Sequence, residues 1–273
     1  MSSLRCVYLD LDGTLLGHRA SLLHDGDGAV SLAGVRAVEA CLRAQVEVVL
    51  MSGRRAAQVA EDARLLGQHS YVFEGGACLV LDGEAQWLSR ELTPGERTIA
   101  EQIEDSGVPA LLLDRYRGRL EYHEPWHVQR EVSHLFRGLV DAEEVDLVLR
   151  EGGHGNLRLI DNGVVTRRSE ALAGLDHVRG YHLVPADVSK VAAVVAHRRA
   201  RGYEREQTMA IGDSREDLAC AAAVGEVWMV ANALERDPTM RALLASHGNA
   251  RAAQDSHGAG VYEAVVSALM TRR

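Results

Sequence analysis

The residue pattern predicts an α/β fold: a doubly wound parallel sheet interrupted by an inserted α+β domain. Three observations carry this. The first third alternates short apolar runs with amphipathic helices, the βαβαβ rhythm of a parallel sheet. From about Glu84, Arg, Glu and His become frequent, and strands mix with charged helices. Near Leu183 the first rhythm returns. The expected division is one core domain from residues 1–83 and 184–273, with residues 84–183 inserted between them.

The elements follow in order. Arg5–Leu11 is an apolar run that reads as the first strand. Ser31–Gln45 carries Leu32, Val35, Val38 and Leu42 at helical spacing, with Ser31 placed to cap it. Val46–Met51 is almost wholly apolar, as a strand covered on both faces requires. Arg54–Leu66 reads as a helix and Tyr71–Glu74 as a short strand. The polar connection Gly17–Val30, with Asp25-Gly26-Asp27-Gly28, is expected to form a flap whose acids are solvated turn residues. Within the insertion, Arg119–His123 and Asn156–Asp161 read as strands. Gly95–Asp105, Trp126–Leu139 and Ala142–Arg150 read as helices. Beyond it come a helix at Ser189–Arg201, a strand at Thr208–Ile211, a helix at Asp217–Val224, a strand at Glu226–Val230 and a closing helix at Gly260–Met270.

Composition bounds the function. The 273 residues suffice for two domains, and 47% hydrophobic with 25% charged residues is ordinary for a globular chain. Lys and Arg number 30 against 39 Asp and Glu, a net charge of −9, which argues against a nucleic-acid binder or a polybasic membrane protein. An anionic ligand therefore needs a local positive site. The four cysteines form no CxxC pair, so neither a zinc site nor a disulfide framework is expected. With no visible targeting segment or membrane-length apolar run, the reading is a cytoplasmic protein with no membrane partner, monomeric or homodimeric.

Four clusters fall where ligands bind an open α/β sheet, at the carboxyl ends of strands. The first is Asp10-Leu11-Asp12-Gly13-Thr14. Side chains alternate along a strand, so Asp10 and Asp12 start on the same side. A strand-end acidic turn explains one Asp but not two; a cation between them, or a titrating role, explains both. Ser52-Gly53-Arg54 follows the second strand, and its serine could equally be a helix cap. Gly212-Asp213-Ser214-Arg215-Glu216-Asp217 follows a later strand, where Asp213 could equally be a turn acid. The last cluster is Lys190, the only lysine among 30 basic residues. A lysine is mildly unfavourable in a helix's first turn, and an anion held there reverses the sign.

The order DxDGT, Ser-Gly-Arg, late Lys, GDxxxD resembles the haloacid dehalogenase superfamily of aspartate-nucleophile phosphotransferases. The position of the insertion resembles the branch with a C2-type cap, which includes Cof-type and sugar phosphatases. The resemblance covers roughly residues 5–80 and 184–235. It implies a Rossmann-like core and a Mg²⁺-dependent phosphatase acting on a small phosphorylated metabolite, a sugar phosphate or sugar-phosphoglycerate conjugate. Asp10 would be the nucleophile and Asp12 the general acid and base. Mg²⁺ would be held by Asp10, the Asp12 carbonyl and Asp213, with Asp217 close by or acting through water. Thr14, Ser52, Gly53 and Lys190 would bind the phosphoryl group. The alternatives are a phosphomutase or phosphotransferase on the same scaffold, or a non-catalytic member.

One residue departs from the pattern. Cof-type members have Asn where this chain has Glu216, and an ionised Glu cannot donate to phosphate. Either Glu216 turns outward to an Arg, or the site has one donor fewer. His123-Glu124-Pro125-Trp126-His127 fits HExxH, but Pro125 argues for a strand-to-helix corner and against a zinc helix. Gly152–Asn156 reads as a cap loop. Arg115, Arg117, Arg119, Arg158, Arg167 and Arg168 are the cations from which substrate contacts could be drawn.

Overall fold

The computed structural model describes residues 3–165 and 169–271. The first core segment runs β1 (Cys6–Asp10), α1 (Ala33–Arg43), β2 (Glu47–Met51), α2 (Ala56–Leu65), β3 (Ser70–Phe73), β4 (Cys78–Leu81) and β5 (Glu84–Trp87). The insertion contributes α3 (Ile99–Asp105), α4 (Val108–Arg115), β6 (Leu120–Tyr122), β7 (His134–Gly138), α5 (Ala142–Glu151), β8 (Leu157–Val165) and β9 (Val178–Pro185). The chain returns through α6 (Lys190–Arg201), β10 (Thr208–Gly212), α7 (Arg215–Ala219), β11 (Glu226–Met229), α8 (Ala231–Arg236), α9 (Met240–Ala245), β12 (Ala250–Ala252) and α10 (His257–Thr271).

Two sheets result. The larger has the order β12-β11-β10-β1-β2-β3-β4-β5 and is parallel from β12 to β3. The smaller, β6-β7-β9-β8, is antiparallel throughout. The alternation of β1 explains why helices cover both faces of the large sheet. Val7 and Leu9 pack with Val38 and Cys41 of α1 and Val261 of α10, whereas Cys6 and Tyr8 pack with Val194 of α6 and Leu218 of α7. The insertion has its own core around Leu112, Phe136, Val145 and Tyr181.

Several expectations need correction. Trp126–Leu139 is not a helix: residues 134–138 form β7, held between β6 and β9. The apolar spacing of that stretch suits a helix, but the buried Glu74 carboxylate takes the N–H groups of Glu131, Val132 and Ser133 away from any helical ladder. Residues 78–87 form a further hairpin, β4–β5, whose two-residue turn Asp82-Gly83 has both residues at positive φ. β5, Glu84–Trp87, pairs into the large sheet, and the last strand of the smaller sheet runs on to Pro185. The Asp217–Val224 helix begins earlier, at Arg215, because Ser214 caps it, and tightens into a 3₁₀ turn at Cys220–Ala222. In the Gly17–Val30 connection, Asp25 is a turn acid whose exposed carboxylate accepts from the N–H groups of Asp27 and Ala29. All four cysteines are buried free thiols. Among the described residues no helix is long and apolar enough to cross a membrane.

Candidate active site

Strand order reverses at β1: the chain steps to β2 and β3 on one side and returns as β10 and β11 on the other. The crevice at that switch point lies beyond the carboxyl ends, where such sheets bind ligands. Asp10 ends β1, Ser52 follows β2, Asp213 follows β10, and Lys190 opens α6. Gly76, at φ +111°, lets this end of α6 pack down, because a Cβ there would stand 2.3 Å from the Ser189 backbone. Gly13 does the same for the acids: its Cβ would lie 2.2 Å from Asp213 Oδ2.

Lys190 is only 2% exposed, and its ammonium donates to Asp10 Oδ1 and to Asp217 Oδ1, each at 2.7 Å. The anions at the start of α6 are therefore the protein's own carboxylates. Asp217 uses its other oxygen to accept from the Ser214 N–H at 3.1 Å, closing the cap of α7. Asp10, Asp213 and Asp217 present oxygens within 4.8 Å of one another. Burial, only partly offset by Lys190, pushes the Asp10 carboxyl up to about 7. Burial and the charges of Asp10 and Asp217 push Asp213 up as well, with Arg236 and Lys190 pulling the other way. The Lys190 ammonium is stabilised despite its burial, because Asp10 and Asp217 flank it.

This donor set fits a hard divalent cation. Among the described residues Asp10 Oδ2 is buried without a partner, the cluster offers only oxygens, and burial together with mutual repulsion raises two of its carboxyls. Asp12 stands apart, half exposed, and is gripped by Arg54. Ser52 is buried and its Oγ accepts from the Arg54 N–H at 3.1 Å, a bond within the loop ahead of α2, whose N-cap is Arg55. Thr14 is buried, and its hydroxyl has no hydrogen-bond partner among the described residues.

No family model matches the chain. A phosphoglycolate phosphatase of Methanoculleus marisnigri is 24% identical over 96% of this chain and 95% of its own. The sucrose-phosphatase of Synechocystis, solved with sucrose and phosphate, superposes with a TM-score of 0.66 at 16% identity over 98% of both chains. A haloacid dehalogenase-like hydrolase of Bacteroides thetaiotaomicron superposes with a TM-score of 0.60 at 17% identity, over 97% of this chain and 99% of that one. The chain has the haloacid dehalogenase fold. In it the insertion sits as a cap over the carboxylate cluster.

Capped in this way, the haloacid dehalogenase core encloses a cleft of about 640 Å³, lined by Asp10, Asp12 and Ser52 from the core and by His123, Arg130 and His182 from the cap. The contact between the layers is built on Glu74. This fully buried carboxylate accepts from the N–H groups of residues 131–133 at 2.7–3.1 Å and from the Ser133 hydroxyl at 2.8 Å. Arg130 lies 3.5 Å from it and donates to the Gly53 carbonyl of the Ser52 loop. Glu74, Arg130 and His182 carried no sequence signal, because partners more than 45 positions apart create their roles.

Glu216 resolves as the outward-turned alternative: its carboxylate meets Arg158 of β8 at 3.2 Å and does not line the cleft. Among the described residues, the other proposed cations line no part of this cleft. Arg117 pairs with Asp114 on the surface, while Arg115 and Arg119 lie against the Tyr116 ring. Arg167 and Arg168 lie outside the described residues. His123 and His127 are not on a helix, and His127 stacks on Tyr122 at 4.9 Å. Gly152–Asn156 connects α5 to β8 as a cap loop.

Proposed function

We propose that the chain is a Mg²⁺-dependent phosphatase that hydrolyses a small phosphorylated metabolite through an aspartyl-phosphate at Asp10. The observation that carries this is the constellation of buried Asp10, Lys190 and Asp217 with half-buried Asp213, in which, among the described residues, Asp10 Oδ2 alone of the Asp10 and Asp217 oxygens is unpaired. The phosphatase name of a relative matched along nearly its whole length supports the reading.

In this scheme Asp10 Oδ2 attacks phosphorus as the ester P–O bond breaks. Asp12 delivers a proton to the leaving oxygen and then takes one from the water that cleaves the acyl phosphate. Lys190 fixes the nucleophile's other oxygen and adds positive charge beside the incoming phosphoryl group. Ser52, Thr14 and the N–H groups around Gly13 and Gly53 bind its equatorial oxygens. Asp10, Asp213, the Asp12 carbonyl and the nearby Asp217 would hold the metal, which neutralises charge on the transferred group.

Hydrolysis of p-nitrophenyl phosphate and a panel of phosphometabolites tests the proposal. Activity is expected with Mg²⁺, lost on chelation, and inhibited by Ca²⁺, whose looser coordination misplaces nucleophile and phosphorus. Asp10→Asn is expected to abolish turnover in a folded protein. Undiminished turnover after exhaustive chelation, or in folded Asp10→Asn, overturns the scheme.

A further inference from the structure

Ser133 links the buried Glu74 to a cap histidine. Its hydroxyl has one proton, which goes to Glu74 at 2.8 Å. Arg130 Nε donates to Ser133 Oγ at 2.7 Å. The second lone pair of Ser133 Oγ faces His182 Nδ1 at 3.1 Å, so Nδ1 carries the hydrogen of that bond. Burial, reinforced by the charge of Arg130, keeps the His182 ring neutral by lowering its pKa well below the usual range. A neutral imidazole has a single N–H. Nε2 is therefore left with a lone pair.

That lone pair is aimed at the site. Among the described residues Nε2 has no hydrogen-bond partner, and a Cβ on Gly53 would lie 2.9 Å from it. The ring borders the same cleft as Asp10, Asp12 and Ser52. A fixed acceptor beside a phosphate loop repels the phosphate's own oxygens and attracts a donor on the remainder of the ester.

We propose that His182 Nε2 accepts a hydrogen bond from a hydroxyl group of the substrate, so that the site selects phosphate esters of polyhydroxylated metabolites over those of carboxylic acids that lack a hydroxyl. The proposal rests on the phosphatase reading above. A hydroxyl-free acid such as phosphoglycolate offers Nε2 only acceptors, and two facing lone pairs disfavour each other.

Glycerol 3-phosphate and propyl phosphate differ only in hydroxyl groups and provide the test, with phosphoglycolate as the hydroxyl-free acid. The wild-type kcat/KM is expected to favour glycerol 3-phosphate over propyl phosphate by about tenfold, the worth of one good hydrogen bond. His182→Leu is expected to bring that ratio close to one, and His182→Gln, whose Oε1 is an acceptor, to restore part of it. A wild-type ratio near one, or a ratio unchanged in His182→Leu, overturns the proposal. Failure of the wild type to hydrolyse p-nitrophenyl phosphate would instead count against the phosphatase reading. A readout independent of turnover is the ¹⁵N NMR signature of His182 in histidine-labelled protein. It is expected to be Nδ1–H with bare Nε2, and a protonated Nε2 overturns the proposal whether or not turnover is seen.

Discussion

Arg54 grips Asp12 by two parallel bonds, Nε to Oδ2 and NH2 to Oδ1, each 2.7 Å, while its NH1 reaches Asp62 of α2 at 2.8 Å. With the Asp12 side chain 49% exposed, this clamp rather than burial sets where the carboxylate stands. The planar fork matches a carboxylate edge, and a lysine ammonium cannot copy it. Arg54→Lys is therefore expected to lower kcat by about ten- to a hundredfold with a smaller change in KM, as misplacing a proton donor does. Steady-state kinetics on p-nitrophenyl phosphate measures this. An unchanged kcat would mean that something other than Arg54 positions Asp12.

Lys190 supports the next prediction. Removing one preorganised charge from such a site costs on the order of 3–4 kcal/mol, or about 10²–10³ in rate, and that is the loss expected of Lys190→Ala. The same change leaves Asp10 and Asp217 without their shared cation, so thermal stability is expected to fall too. Lys190→Arg is also expected to be impaired, because a longer planar group must enter a place that is 2% exposed. Rates and melting temperatures of both variants decide it. Near-wild-type turnover of Lys190→Ala would remove the lysine from the site.

How much of this was legible depended on the range of the determining contacts. Asp10, Asp12, Ser52, Lys190, Asp213 and Asp217 sit at strand ends and helix starts, and local apolar runs announce those positions. The cap was legible as an insertion but not in its inner structure. The 126–139 stretch has apolar residues at helical spacing, and only its pairing with β9 and the capture of its N–H groups by Glu74 make it loop and strand. His182 reads in sequence as one more residue of an apolar strand. Its tautomer depends on Ser133, 49 positions away.

Glu47, at the start of β2, gives a pH prediction away from the site. It accepts from Ser70, Tyr203, Arg201 and His197 at 2.9–3.3 Å. Burial alone would raise its pKa, but the hydrogen bond and charge from His197, with Tyr203 and Ser70, bring it down to about 2 from the usual 4.5. A carboxyl lowered in the folded state stabilises above its unfolded pKa and loses that contribution as pH falls through the folded one. Glu47→Gln is thus expected to be less stable by about 1.5–3 kcal/mol at pH 7, with the gap closing between pH 4.5 and about 2. Melting temperatures of both proteins across that range test this, and a pH-independent gap would contradict it.

The pair Arg158–Glu216 ties β8 of the cap to α7 of the core at 3.2 Å, and the same Arg158 nitrogen donates to the Val188 carbonyl at 2.9 Å. Both side chains are partly exposed, 28% and 22%, so their coupling is expected to be modest, about 0.5 kcal/mol in a double-mutant cycle of Arg158→Ala and Glu216→Gln. Because Glu216 faces the cap and does not line the cleft, Glu216→Asn is expected to change kcat/KM on p-nitrophenyl phosphate by less than about threefold. Denaturant titration measures the coupling, and initial rates measure the second effect. A rate gain of tenfold or more in Glu216→Asn would mean that an amide at this position reaches the phosphate, and that the carboxylate's outward pairing with Arg158 is what keeps the wild-type site short of one donor.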